Sequence, residues 1–399
     1  VQPPDGNHLE ESGGDGGMRY TIGQLAEIID GDRGKNYPKQ DEFYPQGYCL
    51  FLNTGNVTKE GFIFEENQFI MKEKDEALRK GKLKRGDIVY TTRGTVGNAG
   101  YYNSSVPYEN VRINSGMVIL RSNGEIVDAR FLYQILKSEY YRPYFKQYCT
   151  GSAQPQLPIK NFSQIYLNVP DIKTQHRIAD ILSVYDNLIE NNQKQIKLLE
   201  EAAQRLYKEW FVDLRFPGHE NTKIVDGVPE GWSRGLLKEL ISVNYGKDHK
   251  KAPDDGNIPV YGSGGLMRKC NKSLFSGEAV LIPRKGSLNN IMYVDETFWT
   301  VDTMFYATMK QPHTAVFVYF FVKAFDMYSM NIGAAVPSMT AKILDAMDVV
   351  IPDKETLEKF DKLTKTYFNK IKTLQGQNER LKIARDLLLA KLMSGEVEV

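Results

Sequence analysis

The sequence predicts an α+β protein that contains two similar mixed α and β domains and two long helices paired antiparallel. Three observations lead to this prediction. The stretch GSAQP, Gly151 to Pro155, returns as GAAVP, Gly333 to Pro337, 182 positions downstream. A long helical pattern follows each stretch, and doubled strand and helix patterns precede it. A fixed internal period indicates repeated structural units, and here each unit is about half of the chain.

The two halves match without a gap beyond these stretches. Identical residues recur at the offset of 182 in the pairs Lys160 and Lys342, Asp171 and Asp353, Thr174 and Thr356, Tyr185 and Tyr367, Leu199 and Leu381, and Leu206 and Leu388. The match divides the chain into a disordered tail or leader (1–17), a first domain (18–170), a first long helix (171–215), a second domain (216–352) and a second long helix (353–399).

Within each domain, the predicted elements occur in the same order. LKRGDIVYTTRGTVGNAGYY (Leu83 to Tyr102) resembles LFSGEAVLIPRKGSLNNIMYV (Leu274 to Val294), because both contain a Gly-acidic pair, an apolar strand, a basic residue and a Gly-containing loop. A second strand, INSGMVIL or TVDTMFYA, and then a helix, ARFLYQILK or AVFVYFFVK, follow in each half. These periodicities indicate mixed α and β domains.

The two long helices carry heptad patterns. The segment Thr174 to Phe211 contains no Pro or Gly, and its apolar positions from Ile178 to Trp210 alternate in steps of four and three over about 48 Å of helix. The second pattern, from Phe360 to Leu392, is weaker because Gly376 lies inside it.

The direction of the helix pair follows from two polar seam positions. If Ile178 faces Leu392 in an antiparallel pair, Asn192 faces Asn378. A parallel pair in register would bury each amide against an aliphatic side chain, at a cost of about 1–3 kcal/mol for each unpaired group. We therefore predict antiparallel helices whose register depends on Asn192 and Asn378. The alternative is that each helix packs only on its own domain.

Composition limits the function. The chain has 399 residues and a net charge of +1, so a surface for nucleic acid must be local, as in RKGKLKR, KDHKK and RKCNK. Its three cysteines form no CxxC pair and it has no run of 18 apolar residues, which favours a reducing cytoplasmic compartment and no membrane. Residues 1–17 are acidic and Gly-rich, typical of a tail or leader, and Met18 is a candidate native start.

The sequence lacks the motifs of common catalytic and cofactor sites. It contains no GxxxxGK[ST] or GxGxxG loop, no HExxH and no GxSxG, and its five histidines form no spaced ligand cluster. It also lacks the Asn/Asp-Pro-Pro-Tyr/Phe motif of aminomethyltransferases. We therefore expect a non-catalytic protein without a metal or cofactor of its own.

Three segments resemble one known family. IPVYGSGGL (Ile258 to Leu266), GSAQPQLPIKNFSQIYLNVPDIKTQHRIADIL (Gly151 to Leu182) and the final LMSGEV are similar to the recognition-domain signature, the domain–helix junction and the ending of specificity subunits of type I restriction-modification systems. The resemblance covers Arg19 to Glu396. The second junction departs from the first because it has Val336 where the first has Gln154.

The resemblance implies a reader of DNA. Each target recognition domain would bind one half of a bipartite double-stranded site, and the helix pair would set the distance between them in a pseudo-two-fold arrangement. It also implies docking of two modification subunits, which bring S-adenosylmethionine and methylate adenine, and of restriction subunits that use ATP. The alternatives are a coiled-coil scaffold that carries two modules for ligands other than DNA, and a methyltransferase that acts alone.

Loop residues with suitable donors are candidates for DNA contacts. Arg pairs with guanine and Asn with adenine, whereas Lys mostly contacts the backbone. The candidates for base contacts are Arg93 and Asn98 in the first loop and Arg284, Lys285, Asn289 and Asn290 in its counterpart. The candidates for phosphate contacts are Lys35, Lys39, Lys247, Lys250, Lys251 and Arg268. The alternative is that these loops only connect strands.

Overall fold

A computed structural model describes residues 17–151, 154–330 and 338–399 of the chain. The tail 1–16 and the second junction, GAAVP at 333–337, lie outside the described residues. The chain forms two compact units, unit 1 (1–191 and 377–399) and unit 2 (192–376).

Both units contain many short strands. Those of unit 1 are β1 (Met18–Thr21), β2 (Ala26–Asp30), β3 (Cys49–Leu52), β4 (Val57–Thr58), β5 (Gly61–Phe62), β6 (Phe69–Ile70), β7 (Ile88–Thr91), β8 (Ala99–Tyr101), β9 (Val111–Ile113), β10 (Met117–Ser122) and β11 (Tyr166–Val169). Those of unit 2 are β12 (Ile224–Val225), β13 (Val228–Pro229), β14 (Ser233–Leu236), β15 (Ile241–Tyr245), β16 (Ile258–Gly262), β17 (Gly265–Cys270), β18 (Phe275–Pro283), β19 (Met292–Thr300), β20 (Met304–Met309) and β21 (Asp348–Ile351).

The helices are short except for two. They are α1 (Ile22–Leu25), α2 (Lys72–Ala77), α3 (Ala129–Lys137), α4 (Arg142–Lys146), α5 (Ile159–Ser163), α6 (Ile172–Tyr207), α7 (Ala315–Lys323), α8 (Ala341–Asp345) and α9 (Lys354–Met393). The long helices α6 and α9 contain 36 and 40 residues and contribute to both units. A π-helical turn at Lys208–Val212 follows α6.

The two units share one sheet plan. Unit 1 contains the order β2-β10-β7-β8, and unit 2 contains β15-β20-β18-β19 as part of a six-stranded sheet that continues through β16 and β17. A parallel pair recurs as β3 with β9 and as β16 with β19. An early strand of each domain also pairs with the strand before the long helix, β1 with β11 and β14 with β21. The internal repeat predicted from the sequence is confirmed as a repeat of fold.

Both long helices begin at the same kind of cap. Asp171 accepts hydrogen bonds from the backbone N–H (3.2 Å) and hydroxyl (2.6 Å) of Thr174. At the offset of 182, Asp353 accepts the equivalent bonds from Thr356 at 2.9 and 2.7 Å. Asp353 also accepts a bond from the indole N–H of Trp232. A capping carboxylate satisfies N–H groups that a helix leaves without partners in its first turn.

The helices run antiparallel within each unit. In unit 1, Ile178 and Leu182 near the start of α6 share a core with Leu389 and Leu392 near the end of α9. The carboxylate of Asp186 also lies 2.9 Å from the guanidinium of Arg385. The predicted direction is therefore confirmed for this unit.

Unit 2 shows the same direction from the other ends of the helices. Here Trp210, just after α6, lies against Phe360 near the start of α9, with ring centroids 5.9 Å apart. Tyr207 contacts the same ring.

Asn192 and Asn378 are buried, as seam positions should be. Their mutual pairing stays a prediction.

Both long helices also pack on the domains. In unit 1, Phe131 and Ile135 of α3 belong to the same core as Ile178 and Leu389. In unit 2, Phe317 of α7 belongs to the core that contains Phe360 and Ala203. The alternative of helices that pack only on their own domain is therefore wrong, because each domain core includes segments of both.

A glycine follows β2 and β15 at the same structural position in each unit. A Cβ atom on Gly31 would overlap the carbonyl oxygen of Asn114, and one on Gly246 would overlap that of Val301. Both oxygens belong to the turn that precedes β10 or β20. A side chain at either position would therefore move the turn or the segment that follows the strand.

The cap of α9 leads to a pH-dependent stability prediction. Burial raises the pKa of Asp353, but the hydrogen bonds from Thr356 and Trp232 outweigh it and hold the pKa below its ordinary value. Asp353→Ala should lower the free energy of unfolding by about 1 kcal/mol at pH 7, measured by urea denaturation. The contribution is present above pH of about 4 and is lost as pH falls through the lower folded-state pKa, so the difference should narrow in acid. Asp353→Asn, which keeps an acceptor without charge, should lose less; an Ala variant as stable as wild type would contradict the cap.

The glycines lead to a second prediction. Gly31→Ala and Gly246→Ala should each destabilise the protein by about 1–3 kcal/mol, because the added methyl group overlaps a backbone carbonyl. Gly124→Ala and Gly264→Ala are matched controls, since a Cβ there meets nothing within 4 Å. In thermal melting, the Gly31 and Gly246 variants should have lower melting temperatures than the two controls. Equal melting temperatures in all four variants would show that the turns shift to accommodate the methyl group at little cost.

Candidate nucleic-acid interface

Each unit presents a hairpin loop against a neighbouring turn. In unit 1 the loop 92–98 joins β7 to β8, and the N–H groups of Thr92 and Arg93 both donate to the carbonyl of Gly116. In unit 2 the loop 284–291 joins β18 to β19, and the N–H groups of Arg284 and Lys285 both donate to the carbonyl of Thr303. The same backbone contacts therefore hold both loops.

The domain–helix junction also meets each loop. Arg93 forms a bridge with Gln156, and Lys285 forms the equivalent bridge with Ser338, at the offset of 182 on the junction side. Gly94 and Gly286, which follow the two basic residues, have φ values of 71° and 86°. The left-handed backbone favours glycine at this position, and so the similar RG and KG dipeptides mark the same turn.

A third segment joins this edge of unit 2. The N–H of Lys247 donates to Thr300 at 2.9 Å, and the indole of Trp299 donates to the Lys247 carbonyl. The amide of Asn290 reaches the carbonyl of Ser263, in the loop after β16, at 2.8 Å. The segment after β15, the loop after β16, the hairpin loop and the turn before β20 therefore lie together at one edge of unit 2.

The lysines predicted to contact phosphate lie on these segments with exposed side chains. They are Lys35 and Lys39 in unit 1 and Lys247, Lys250 and Lys251 in unit 2. Lys35 and Lys250 each lie four residues after the tight glycine that follows β2 or β15. Exposed ammonium groups at equivalent places suit a polyanionic ligand.

Arg268 lies on β17 and is partly exposed, but its guanidinium is engaged internally. It donates to the carbonyls of His249 and Ala252, the latter at 2.6 Å. Arg268 thereby fixes the short segment that presents Lys250 and Lys251. Through these two hydrogen bonds, Arg268 would contribute to a DNA interface by positioning Lys250 and Lys251.

The asparagines among the predicted base contacts anchor loops in this structure. Asn98 is buried and donates to the carbonyl of Val57 at 2.9 Å. Asn290 makes the corresponding contact with Ser263. Asn289 is exposed, accepts from the N–H of Met327 and donates to Asp326. These contacts give all three amides a role in loop geometry.

The basic members of the loops are all at least partly accessible. Arg93 and Lys285 are exposed and Arg284 is partly exposed. The Nη1 group of Arg284 donates to the carbonyl of Asp302 at 2.9 Å, and its guanidinium lies 5.6 Å from the centre of the Tyr245 ring. Arg284 is therefore held in place at the edge of the loop cluster.

Sequence reasoning missed Arg33, which lies two residues after Gly31. Its guanidinium contacts the carboxylate of Asp30 at 3.1 Å and the carbonyl of Ser115 at 3.2 Å. The following backbone is fixed by buried Asp32, which accepts the N–H groups of Gly34 and Arg79. The Gly34 N–H is the main cause that lowers the pKa of Asp32 and keeps it ionised. No sequence signal identifies Arg33, because the position two residues after the equivalent Gly246 in unit 2 holds Asp248.

The tyrosine of the segment IPVYGSGGL has a structural contact. Tyr261 of β16 donates its hydroxyl to the carboxylate of Glu296 on β19. Burial, followed by the neighbouring carboxylate, raises the pKa of Tyr261, so the phenol stays neutral. The RKGKLKR cluster is likewise tied to its own domain: Lys82 pairs with Asp75, and Arg85 stacks on Tyr102.

The described residues form neither a metal site nor a membrane span. Within 17–151, 154–330 and 338–399, no group of three or more His, Cys, Asp and Glu side chains is arranged to hold a metal ion. In the same ranges, no helix combines the length and the apolar character that crossing a bilayer requires.

Comparison with known proteins identifies the family. The model of the type I restriction modification DNA specificity domain matches residues 16–201 and 229–382. The MjaIX specificity subunit of Methanocaldococcus jannaschii is 24% identical over 82% of this chain and 81% of its own length. The HindI specificity subunit of Haemophilus influenzae is 24% identical over 92% and 98%.

A solved structure supports the same fold. The crystal structure of the type I restriction-modification S subunit from M. genitalium aligns with a TM-score of 0.53 at 18% identity, covering 98% of this chain and 99% of that one. The family model matches one stretch in each half of the repeat and together these cover most of the residues. The chain therefore belongs to the type I restriction-modification DNA specificity family, as a specificity subunit.

Proposed function

We propose that this chain reads a bipartite double-stranded DNA site, one half with each unit, and that it is not itself catalytic. The observation that carries the proposal is the doubled loop cluster. In both units a basic hairpin loop rests on the same turn, beside a segment that presents an exposed lysine four residues after a tight glycine. Two equivalent edges suit two half-sites.

The charge distribution supports DNA as the ligand. The whole chain carries a net charge of only +1, so the exposed lysines and arginines of the loop clusters stand out against a balanced surface. Lysines at loop edges neutralise phosphates and release counterions, which fixes the protein on the duplex without reading sequence. Arg93, Arg284 and Lys285 supply donors at the beginning of the two hairpin loops.

The long helices would provide the docking surface for partner subunits. In unit 1, α6 and α9 expose large apolar side chains that a water-facing helix does not need: Ile181, Val184, Leu188, Ile383 and Leu387. Exposed apolar residues at this density favour a protein partner. By family membership, we propose two modification subunits and, through them, the restriction subunits.

The chemistry would then belong to the partners. The modification subunits would bring S-adenosylmethionine and methylate adenine, and the restriction subunits would use ATP. This chain would contribute the choice of site and the distance between its halves, and it would need no cofactor of its own. We place the assembly in the cytoplasm, where the DNA is.

A lysine-substituted protein tests the DNA contact. Replacing Lys247, Lys250 and Lys251 with Ala should weaken binding to all duplex sequences alike, because phosphate contacts carry no sequence information. The slope of log affinity against log salt should fall by about one for each phosphate that the variant no longer neutralises. Fluorescence anisotropy across a salt series, with the chain in complex with its modification subunits, measures both quantities.

The matched control replaces three other exposed lysines of unit 2 that lie off the long helices, namely Lys223, Lys238 and Lys310. This protein has the same net charge as the test variant, so a shared loss of affinity would reflect overall charge. If the test variant keeps the wild-type affinity and salt slope, these lysines do not touch DNA. If wild type itself binds without a salt-dependent affinity, the proposal of a DNA reader fails.

A further inference from the structure

The two units place an arginine at one equivalent point, although the two arginines come from different segments. The turns before β10 and β20 correspond, because the carbonyls of Gly116 and Thr303 each accept the two N–H groups at the start of the hairpin loop. The preceding residues, Ser115 and Asp302, are therefore equivalent. Arg33 donates to the carbonyl of Ser115, and Arg284 donates to that of Asp302.

A neighbouring position confirms that the two guanidinium groups match. Arg33 contacts Asp30, which pairs with Val118 across the sheet. Arg284 lies against Tyr245, which pairs with Phe305. Asp30 and Tyr245 are the last residues of β2 and β15, each directly before the tight glycine. Each guanidinium therefore lies between the same strand end and the same turn.

The chain positions, in contrast, are exchanged. Unit 1 has Arg33 two residues after Gly31, and a buried Thr92 at the start of its hairpin loop. Unit 2 has Asp248 two residues after its glycine, and Arg284 at the start of its hairpin loop. If the two domains were simple copies, the arginine would occupy the same chain position in both. The requirement that persists in both units is a guanidinium at this point.

The surroundings favour a base edge over a phosphate. Each guanidinium uses one terminal nitrogen for the turn carbonyl, and among the described residues the other terminal nitrogen and Nε donate to nothing. The carboxylate of Asp30 beside Arg33 would repel a phosphate. A neutral pair of acceptors fits better, and O6 and N7 of guanine are the pair that arginine contacts with two parallel bonds.

We propose that Arg33 and Arg284 are equivalent specificity-determining residues, each contacting the major-groove edge of a guanine in its own half-site. The proposal rests on the proposed function as a DNA reader and deepens it. Asp30 and Tyr245 hold the two guanidinium groups in place, the first by an ion pair and the second by a cation–π contact. Arg33 thus has in unit 1 the role that Arg284 has in unit 2.

The test selects DNA sites from a randomised double-stranded pool. The full chain in complex with its modification subunits is used as wild type, Arg33→Ala and Arg284→Ala. Each variant should lose a preference for guanine of roughly 5- to 150-fold at one position. The affected position should lie in one half-site for Arg33→Ala and in the other for Arg284→Ala, with all remaining positions unchanged.

Two exposed arginines serve as matched controls. Arg19 of β1 lies over the Tyr166 ring in unit 1, and Arg234 donates to the carbonyl of Asp226 in unit 2, both outside the loop clusters and the long helices. Arg19→Ala and Arg234→Ala should keep the wild-type site. Melting temperatures verify folding. Arg33→Lys and Arg284→Lys keep the charge but remove the planar fork of parallel donors, so they should keep a smaller guanine preference than wild type.

The outcomes separate the proposals. If the Ala variants weaken all sequences alike and lower the salt slope, the arginines contact phosphate and the inference is wrong. If the Ala variants keep the wild-type site, contact of the arginines with a base is excluded. If wild type selects no site, the proposed function itself fails.

Discussion

The rest of the structure depends on the packing of both long helices into each domain core. In unit 1, Ile178 of α6 and Leu389 of α9 are fully or almost fully buried beside Phe131 of the domain. In unit 2, Ala203 and Phe360 take the same part. A domain of either kind therefore needs helix segments that are far apart in the chain. Burial of each large apolar side chain contributes about 1.5–3 kcal/mol to the free energy of folding. Separating either helix from a domain would therefore expose part of that domain's core.

This packing explains how a loop edge can be both variable in sequence and fixed in place. The strands that end at the edge belong to sheets backed by the helices, and the tight glycines bring the segments after β2 and β15 against the next turn. Loop residues can then change without moving the frame, as the exchange between Arg33 and Arg284 illustrates. Binding residues on loops positioned by a rigid scaffold are a common arrangement.

Much of this plan can be predicted from the sequence. The offset of 182 identifies the two helices and the repeated hairpins, and it pairs Asp171 with Asp353, since these depend on local patterns. The division into units was not predictable in the same way, because each unit combines the first part of one long helix with the last part of the other. Among site residues, the exposed lysines follow from local charge. The anchoring contacts of Asn98 and the position of Arg33 depend on segments distant in sequence, and no local pattern reports them.

The central claim is that the chain selects a split DNA site for partner subunits that modify it. The most direct test is a genome-wide map of methyladenine in a host without methylation of its own. The chain is expressed there with its modification subunit, alone, and with the modification subunit alone. We predict one bipartite motif that is methylated only when both proteins are present. Methylation by the chain alone, or no methylation with a modification subunit shown to bind it, would contradict the account.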